Sequence, residues 1–254
     1  MKKIFILLSA LFALVVGVGF LSCSNDDNDS GSSGNTNSGD NSLEKTTESK
    51  TTVIAPSIDG MKGKVFLWDD DARWQDVSES GKEKKYVVFT NETDSNGALK
   101  GFMYYYHYSD NWETISDFNA ENGKETITYK NGIVDNNDHD ATDKVCISGG
   151  KYYKYCDPDD IYTRQSGDGL NSSFSDGDEN GWTFTTKTNG TISLLDNSDS
   201  TEICNGTFTN NNGVLTCSFT INGEAWQNTL LYTGDKLYEV EEIKELSALP
   251  TYGE

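Results

Sequence analysis

The sequence has little of what nucleic-acid-binding proteins and common enzyme families need. Lysine and arginine number 20 against 41 aspartates and glutamates, which gives a formal net charge of −21. Because binding to nucleic acids or anionic lipid surfaces depends on clustered positive side chains, this balance argues against both partners. The chain has 2 histidines, and its sequence contains no nucleophile elbow, HExxH motif or phosphate-binding loop. We therefore do not expect an enzyme.

Proline is also scarce, with 3 residues, whereas glycine numbers 24 and aromatic residues make up 11% of the chain. Helical periodicity is weak beyond residue 60, where Tyr, Phe, Trp, Thr and Val recur between Asn-Gly and similar turns. β-branched and aromatic residues favour strands, and turn residues at short intervals favour hairpins. This composition predicts an all-β domain.

The clearest hairpin is "GWTFTTKTNGTISLL". A three-residue loop pairs Lys187 with Thr191 and places Phe184 opposite Leu194 on one apolar face. Gly190 falls where such a loop needs a left-handed residue. Further hairpins are expected in "CNGTFTNNNGVLTCSFTING", "AWQNTLLYTGDKLYEV", "ETITYKNGIVD" and "KVCIS" with "KYYKYC".

Earlier strands are expected at "KVFLW", "KKYVVFT" and "GFMYYYHYS", and short helices at "DDARWQDVSES" and "EEIKELSAL". The pattern is an antiparallel meander of about ten to twelve short strands. Such a meander must close as a β-barrel or fold as a β-sandwich. Its C-terminal hairpins loosely resemble lipocalin-like lipoprotein barrels.

The chain begins "MKKIFILLSALFALVVGVGFLSC", with Lys2 and Lys3 before an apolar run at 4–21. This is the layout of a secretory signal peptide, although an uncleaved membrane anchor would have a similar run. "FLSC", ending in Ser22 and Cys23, resembles the lipobox of bacterial lipoproteins. That resemblance implies a diacylglycerol group on Cys23, which would anchor the protein to a membrane without spanning it.

The residues after Cys23, "SNDDND", resemble the acidic export tag of surface lipoproteins in some Gram-negative bacteria; a solvated acidic linker would look the same. We expect a monomer anchored to the outer membrane, where it would be either exposed at the cell surface or facing the periplasm. Residues 1–22 would be the signal peptide and 23–57 a disordered Ser/Asn/Asp/Gly tether. Residues 58–254 would form one β-rich domain.

Four cysteines remain if Cys23 is lipidated. An even number in an exported chain suggests two disulfides. We expect Cys146–Cys156 and Cys204–Cys217, each within one hairpin. A metal site is the alternative, which the absence of a CxxC motif disfavours.

"DGDENG" resembles the start of a calcium loop, with oxygen ligands at Asp176, Asp178 and Asn180 before Gly181. Lys187 stands at the twelfth position instead of Glu, so an acidic turn is the alternative. "DNNDHDATD" (135–143) is a second acidic loop with less pattern.

The strand "FMYYYHY" carries aromatic residues on both faces. Aromatic faces stack on sugars and apolar ligands, so Tyr104, Tyr106, Tyr108 and, elsewhere, Trp182 are candidate ligand-binding residues. Packing in the core with cross-strand aromatic pairing is the alternative, and the general tendency of aromatic residues to pack favours it.

Three functions remain compatible with the sequence. The first is a lipid-anchored, exported β-domain that binds a small apolar molecule, a glycan or a host protein. The second is a structural envelope lipoprotein without a ligand. The third is a glycan-active hydrolase, which would need a pair of carboxylates in a cleft.

Overall fold

The structure is a computed structural model of the 254-residue chain. It describes residues 48–69, 75–76, 83–107, 124–136, 142–156, 161–221 and 223–249. The predicted signal peptide and Cys23 lie outside these ranges, as does Tyr108. Among the helices of the described ranges, none is long and apolar enough to cross a membrane.

The described chain is built almost wholly of antiparallel strands, preceded by one helical turn. The elements are α1 (Ile58–Met61), β1 (Val65–Asp69), β2 (Gln75–Asp76), β3 (Glu83–Thr93), β4 (Leu99–His107), β5 (Lys124–Lys130), β6 (Ile133–Asp135), β7 (Thr142–Ser148), β8 (Lys151–Tyr155), β9 (Ile161–Asp168), β10 (Asn171–Ser175), β11 (Trp182–Thr186), β12 (Thr191–Asp196), β13 (Glu202–Asn211), β14 (Val214–Ile221), β15 (Glu224–Tyr232) and β16 (Lys236–Leu246). The predicted all-β barrel class is confirmed.

The strand pairings close two rings of eight strands each, and β16 belongs to both. The first ring, here called the first barrel, contains β1, β3 to β8 and the C-terminal part of β16. The second barrel contains β9 to β15 and the N-terminal part of β16. Because each ring closes, most of the described strands are paired along both edges, which limits the open edges available for edge-to-edge association.

β16 joins the barrels because its 11 residues are long enough to pair with four other strands. On one edge it pairs with β9 over 236–238 and then with β8 over 240–243. On the other edge it pairs with β15 over 237–240 and with β1 over 244–246. Each barrel is therefore closed by a different half of the same strand.

Successive side chains of a strand point to opposite faces of the sheet, so every second side chain points into a barrel and fills its interior. The first core contains Met61, Phe66, Trp68, Val87, Phe89, Leu99, Met103, Ile127, Tyr129, Val134, Val145 and Ile243. The second contains Tyr162, Leu170, Phe174, Phe184, Ile192, Leu194, Cys204, Phe208, Leu215, Cys217, Phe219, Leu230, Tyr232 and Leu237. Eight-stranded barrels are just wide enough for side chains to fill.

The chain before α1 lies against the sheet instead of leaving it at residue 57. Thr51 N donates to Tyr232 O (2.8 Å), and Ile54 forms a β-bridge with Ile147. Val53 packs on a third cluster of Cys146, Tyr153, Leu231 and Val240. The sequence placed these residues in the tether, whereas the structure makes 51–56, here called the strap, part of the folded domain.

Three other details differ from the sequence predictions. The helix expected at "EEIKELSAL" is wrong, because 241–246 pair with β8 and β1 as the end of β16. In the other expected helix, the described residues Gln75 and Asp76 form β2. The hairpin of β9 and β10, joined at 168–171, was not predicted.

The two predicted disulfides are not formed, and all four cysteines of the described chain are free thiols. Cys204 lies opposite Leu194, whereas Cys217 lies opposite Phe208. This register separates Cys204 from Cys217 by about 13 Å along the strands, beyond disulfide reach. In the other hairpin Cys146 lies opposite Tyr153, three residues before Cys156.

Candidate functional site

One end of the second barrel carries four half-buried apolar side chains. They are Trp182, Ile203, Ile221 and Trp226, and they pack on the edge of the second core. β11 begins at this end, β14 ends there and β15 begins there, so antiparallel pairing brings these residues to the same rim. We call this rim the mouth.

The register points the mouth residues inward. Trp182 shares a face of β11 with the buried Phe184, and Trp226 lies directly opposite the buried Phe219. Ile203 is the extra residue of a β-bulge, where the pairing of β12 with β13 shifts between Leu194 and Leu195. Two indole rings and two Ile side chains thus form an apolar rim above the filled core.

A buried polar cluster lies below the mouth. Glu239 is 1% exposed, and its carboxylate accepts hydrogen bonds from Asn228 Nδ2 (2.7 Å) and Tyr162 Oη (3.3 Å). Leu230 is the cross-strand neighbour of Glu239, and Cys217 is that of Asn228. A carboxylate so enclosed by apolar residues is costly unless it is hydrogen-bonded, which explains why an amide and a phenol face it.

Two polar atoms beside this cluster have no partner. Trp226 Nε1 and Asn228 Oδ1 are shielded from solvent and make no hydrogen bond. They lie where β15 loses β16 as a neighbour, because the last pair of those strands is Thr229 with Val240. Beyond it, the two-residue β2 pairs with β15 at 226–227. An unpaired buried donor or acceptor costs about 1–3 kcal/mol, so Trp226 and Asn228 each reduce the stability of this end of the barrel.

The charge around the mouth is negative. Asp196 pairs with Trp182, Glu202 with Leu195, and Glu224 with Ile221. Among the described residues at this end of the second barrel (161–163, 173–184, 194–205, 217–221 and 223–228) there is no Lys or Arg. The described residues of the rim thus carry negative and no positive side-chain charge, which disfavours anions.

The first barrel contains a buried cation. Lys154 is 7% exposed; its Nζ lies 3.6 Å from Asp143 Oδ1 and 5.7 Å from the centroid of the Trp68 ring. It lies opposite Glu241, which is 7% exposed. Because Leu237, Glu239, Glu241 and Ile243 share one face of β16, both buried glutamates occupy interior positions along one strand.

The buried thiols are unsuited to nucleophilic or metal chemistry. Burial raises the pKa of Cys146 and of Cys204 from 9.0 to about 12. Burial and, next, the charge of Glu239 raise the pKa of Cys217 further. Thiolate is the reactive and metal-binding form, so these side chains stay inert at neutral pH.

The predicted calcium loop is closed by its own hydrogen bonds. Asp176 Oδ1 accepts from Asp178 N (3.1 Å), and Asp176 Oδ2 accepts from Trp182 N (2.9 Å). Asp178 Oδ1 accepts from Asn180 N (3.0 Å), and Asn197 Nδ2 donates to Asp178 O (2.7 Å). The carboxylates of Asp176 and Asp178 are thus engaged by backbone N–H groups, as an acidic turn would have them. Within the described ranges, no group of three or more His, Cys, Asp or Glu could hold a metal ion.

The predicted ligand-binding residues occupy different surfaces. Trp182 lies at the mouth. Tyr104 is half-buried on the outer face of the first barrel, opposite Tyr86, because its neighbour Met103 points into the core. Tyr106 belongs to the same strand, and Tyr108 is outside the described residues.

Sequence reasoning missed Trp226, Asn228 and Glu239. The available signal was a polar residue on an otherwise apolar strand face. Asn228 interrupts the face of Trp226, Leu230 and Tyr232 on β15, as Glu239 interrupts that of β16. No family model, curated protein or solved structure gives a significant match to this chain.

Proposed function

We propose that this protein is a lipid-anchored exported binding protein whose ligand occupies the mouth of the second barrel. The observation that carries the proposal is the mouth itself, an aromatic and apolar rim beside two buried polar atoms that have no partner. Concave sites that combine an apolar lining with a few unsatisfied polar groups are the usual form of small-molecule sites.

The filled interiors of both barrels favour a ligand position at the rim. The second core is packed by Phe174, Phe184 and Leu230, each 0% exposed. A ligand held along the barrel axis, as in a lipocalin-like carrier, would have to displace these side chains. Binding at the mouth requires no such rearrangement of the core.

The anchor belongs to the proposal through the lipobox-like "FLSC" and the polar residues that follow it. Acyl chains on Cys23 would hold the protein at the outer membrane. The residues between Cys23 and the strap at 51–56 would then keep the two barrels away from the lipid surface.

The filled barrels also favour a second candidate, a structural envelope lipoprotein without a ligand. A glycan-active hydrolase would need two carboxylates open to substrate. The buried pair Glu239 and Glu241 does not meet that need, since they are 1% and 7% exposed and Glu239 is engaged by Asn228 and Tyr162.

Two experiments test the proposal. Cys23→Ala should move the protein from the membrane fraction to the soluble fraction, and a variant that stays with the membrane would contradict the anchor.

For binding, the five Trp indole N–H signals of the ¹⁵N-labelled protein report on separate sites. A library of small saccharides, lipids and amino compounds should contain ligands that shift the Trp182 and Trp226 signals and leave that of Trp68 in place. A library that shifts neither mouth signal would favour the structural candidate.

A further inference from the structure

Lys154 of the first barrel lies between two carboxylates on neighbouring strands. Its Nζ is 3.6 Å from Asp143 Oδ1 on β7, and its cross-strand neighbour on β16 is Glu241. Asp143 shares its face of β7 with the buried Val145, which lies directly opposite Lys154, so all three charged side chains point into the barrel. Directly opposite residues in antiparallel strands have Cβ atoms about 4.5–5.5 Å apart, which puts the Glu241 carboxyl group within reach of Nζ.

The surroundings of these charged groups exclude most water. Lys154 and Glu241 are each 7% exposed, and the fully buried Trp68 has its ring centroid 5.7 Å from Nζ. Two ions removed from water lose much of their hydration, and their attraction repays that loss only where the geometry is excellent. The 3.6 Å contact is longer than a charge-assisted hydrogen bond of about 2.7–2.9 Å. Burial therefore favours a neutral product over the ion pair of Lys154 with Asp143.

We propose that Lys154 and Asp143 condense to an amide, which joins β7 to β8 covalently inside the first barrel. Nζ of Lys154 bonds to Cγ of Asp143, the bond from Cγ to one carboxylate oxygen breaks, and that oxygen leaves as water. The ammonium group loses two protons, and both go to the leaving oxygen. An ion pair thus becomes a neutral amide and one water, and no oxidant or other reactant is consumed.

Glu241 carries the protons in this reaction. Its carboxylate takes a proton from Nζ, which frees the nucleophilic lone pair, and passes that proton to an Asp143 oxygen. The second proton follows the same route after the C–N bond forms, so Glu241 ends unchanged. Because the fold holds the amine beside the carboxyl group, the reaction needs no encounter in solution. Well-oriented groups of this kind reach effective concentrations of about 10⁵–10⁸ M.

A second ion pair of β8 and β16 serves as an internal control. Lys151 Nζ lies 2.7 Å from Glu242 Oε2, closer than Lys154 lies to Asp143, but those side chains are 59% and 52% exposed. Water solvates both ions of that pair and keeps the amine protonated, so no amide should form there. Burial, and not distance alone, is what the reaction requires.

The test is a tryptic digest of the full-length protein after unfolding in urea, so that only a covalent bond can hold two peptides together. Trypsin cuts after lysine and arginine but not after an acylated lysine. The linked protein should give peptides 131–144 and 152–164 as one species, whose mass is that of both peptides less one water. An unlinked protein would give 131–144, 152–154 and 155–164 separately. Cleavage after Lys151 should be complete.

Two variants test the roles of the side chains. Lys154→Arg keeps the positive charge, but its guanidinium group stays protonated and is not a nucleophile, so no linked species should form. Glu241→Gln keeps the size of the side chain and removes the proton carrier. The linked species should then form roughly 10²–10⁴-fold more slowly, measured as its yield at intervals after synthesis. Circular dichroism shows whether each variant is folded.

The wild-type digest decides the main claim even where a variant fails to fold, because a digest without the linked species overturns the proposal. A species that joins 152–164 to 237–244, which contains Glu241, would overturn the assignment of Asp143 as the acyl partner. A link at Lys151 would overturn the argument from burial. Linking at the wild-type rate in folded Glu241→Gln would show that Glu241 does not carry the protons.

Discussion

Asn228 donates a 2.7 Å hydrogen bond to the carboxylate of Glu239, and both side chains are buried inside the second barrel. The bond crosses from β15 to β16 at the point where β16 begins to leave for the first barrel. The same contact therefore stabilises the end of one barrel and fixes the amide that faces the mouth. The stability of the second barrel and the proposed binding at the mouth therefore both depend on this hydrogen bond.

Replacing Glu239 should destabilise the protein by an amount that depends on whether the new side chain can still accept a hydrogen bond. Glu239→Ala leaves the Asn228 amide and the Tyr162 hydroxyl unpaired in the core and should lower the free energy of unfolding by roughly 2–5 kcal/mol. Glu239→Gln keeps an acceptor for Asn228 and should cost less. The measurement is urea unfolding followed by circular dichroism.

Glu242→Ala is the control on the same strand. Glu242 is exposed and its carboxylate forms a 2.7 Å ion pair with Lys151, also exposed. Surface pairs contribute up to about 1 kcal/mol, so this variant should remain close to wild type. Equal losses for Glu239→Ala and Glu242→Ala would contradict the structural role given to Glu239.

Turn chemistry made parts of the fold predictable. The loop ending at Gly190 was placed correctly: Lys187 N donates to Thr191 O (2.9 Å), Phe184 lies opposite Leu194, and Gly190 has φ 82°. The Asn-Gly turns at 131–132 and 212–213 also form two-residue connections. In each case, local backbone preference and the alternation of apolar residues determine the same register.

Long-range pairing was beyond sequence reasoning. β16 was partly read as a helix because Glu, Lys and Leu are helix formers, but pairing with four strands overrides that preference. The bulge at Ile203 and the register of β13 with β14 keep Cys204 from Cys217. The hairpin of β9 and β10 was missed because "RQSGDGLN" is polar and mostly exposed, so its alternation carries no apolar signal.

The site was only partly predictable for the same reason. Trp182 was found because it begins a regular alternating strand. Asn228 and Glu239 each interrupt an apolar face, and their meaning depends on which strands become neighbours. A single sequence does not show that β16 passes from the second barrel into the first next to Asn228 and Glu239.

A pair of glycines tests the strap at 51–56. Gly213 and Gly177 both have left-handed backbones, with φ 86° and 83°. A Cβ at Gly177 would meet nothing within 4 Å, whereas one at Gly213 would collide with Thr51 N. Gly177→Ala should cost about 1–2 kcal/mol from backbone strain alone. Gly213→Ala should cost clearly more and should weaken amide-exchange protection at Thr51, which donates to Tyr232 O. Identical effects of the two substitutions would mean that the strap does not pack on this turn.

The reactivity of the cysteine thiols towards a chemical reagent should show which of them are buried. Cys146, Cys204 and Cys217 are buried, and Cys156 is half-buried. Under native conditions near pH 8, a thiol-specific chromogenic reagent should modify Cys156 at most, while the other three react only after unfolding. Mass spectrometry of the modified protein identifies the reactive site. Non-reducing peptide maps that find Cys146–Cys156 or Cys204–Cys217 disulfides would contradict the free thiols.

The protein should lose stability as the solution becomes alkaline. Burial raises the pKa of Cys146 and Cys204 from 9.0 to about 12, and the pKa of Tyr129 and Tyr153 from 10.0 to about 12. Between these values the unfolded chain has released its protons while the native chain still holds them. Since the unfolded state then binds fewer protons, the free energy of unfolding falls as pH rises above about 9 and is unaffected by these groups below it.

Each such group contributes at most about 1.4 kcal/mol per pH unit within that window. Urea midpoints measured from about pH 7 to pH 11 should therefore stay level at first and then fall. Cys204→Ala removes one titrating group and should make the fall shallower, although it also leaves a small cavity that lowers stability equally at every pH. A level profile to pH 11, or an unchanged slope in Cys204→Ala, would show that Cys204 releases its proton in the native state and is not enclosed by the second core.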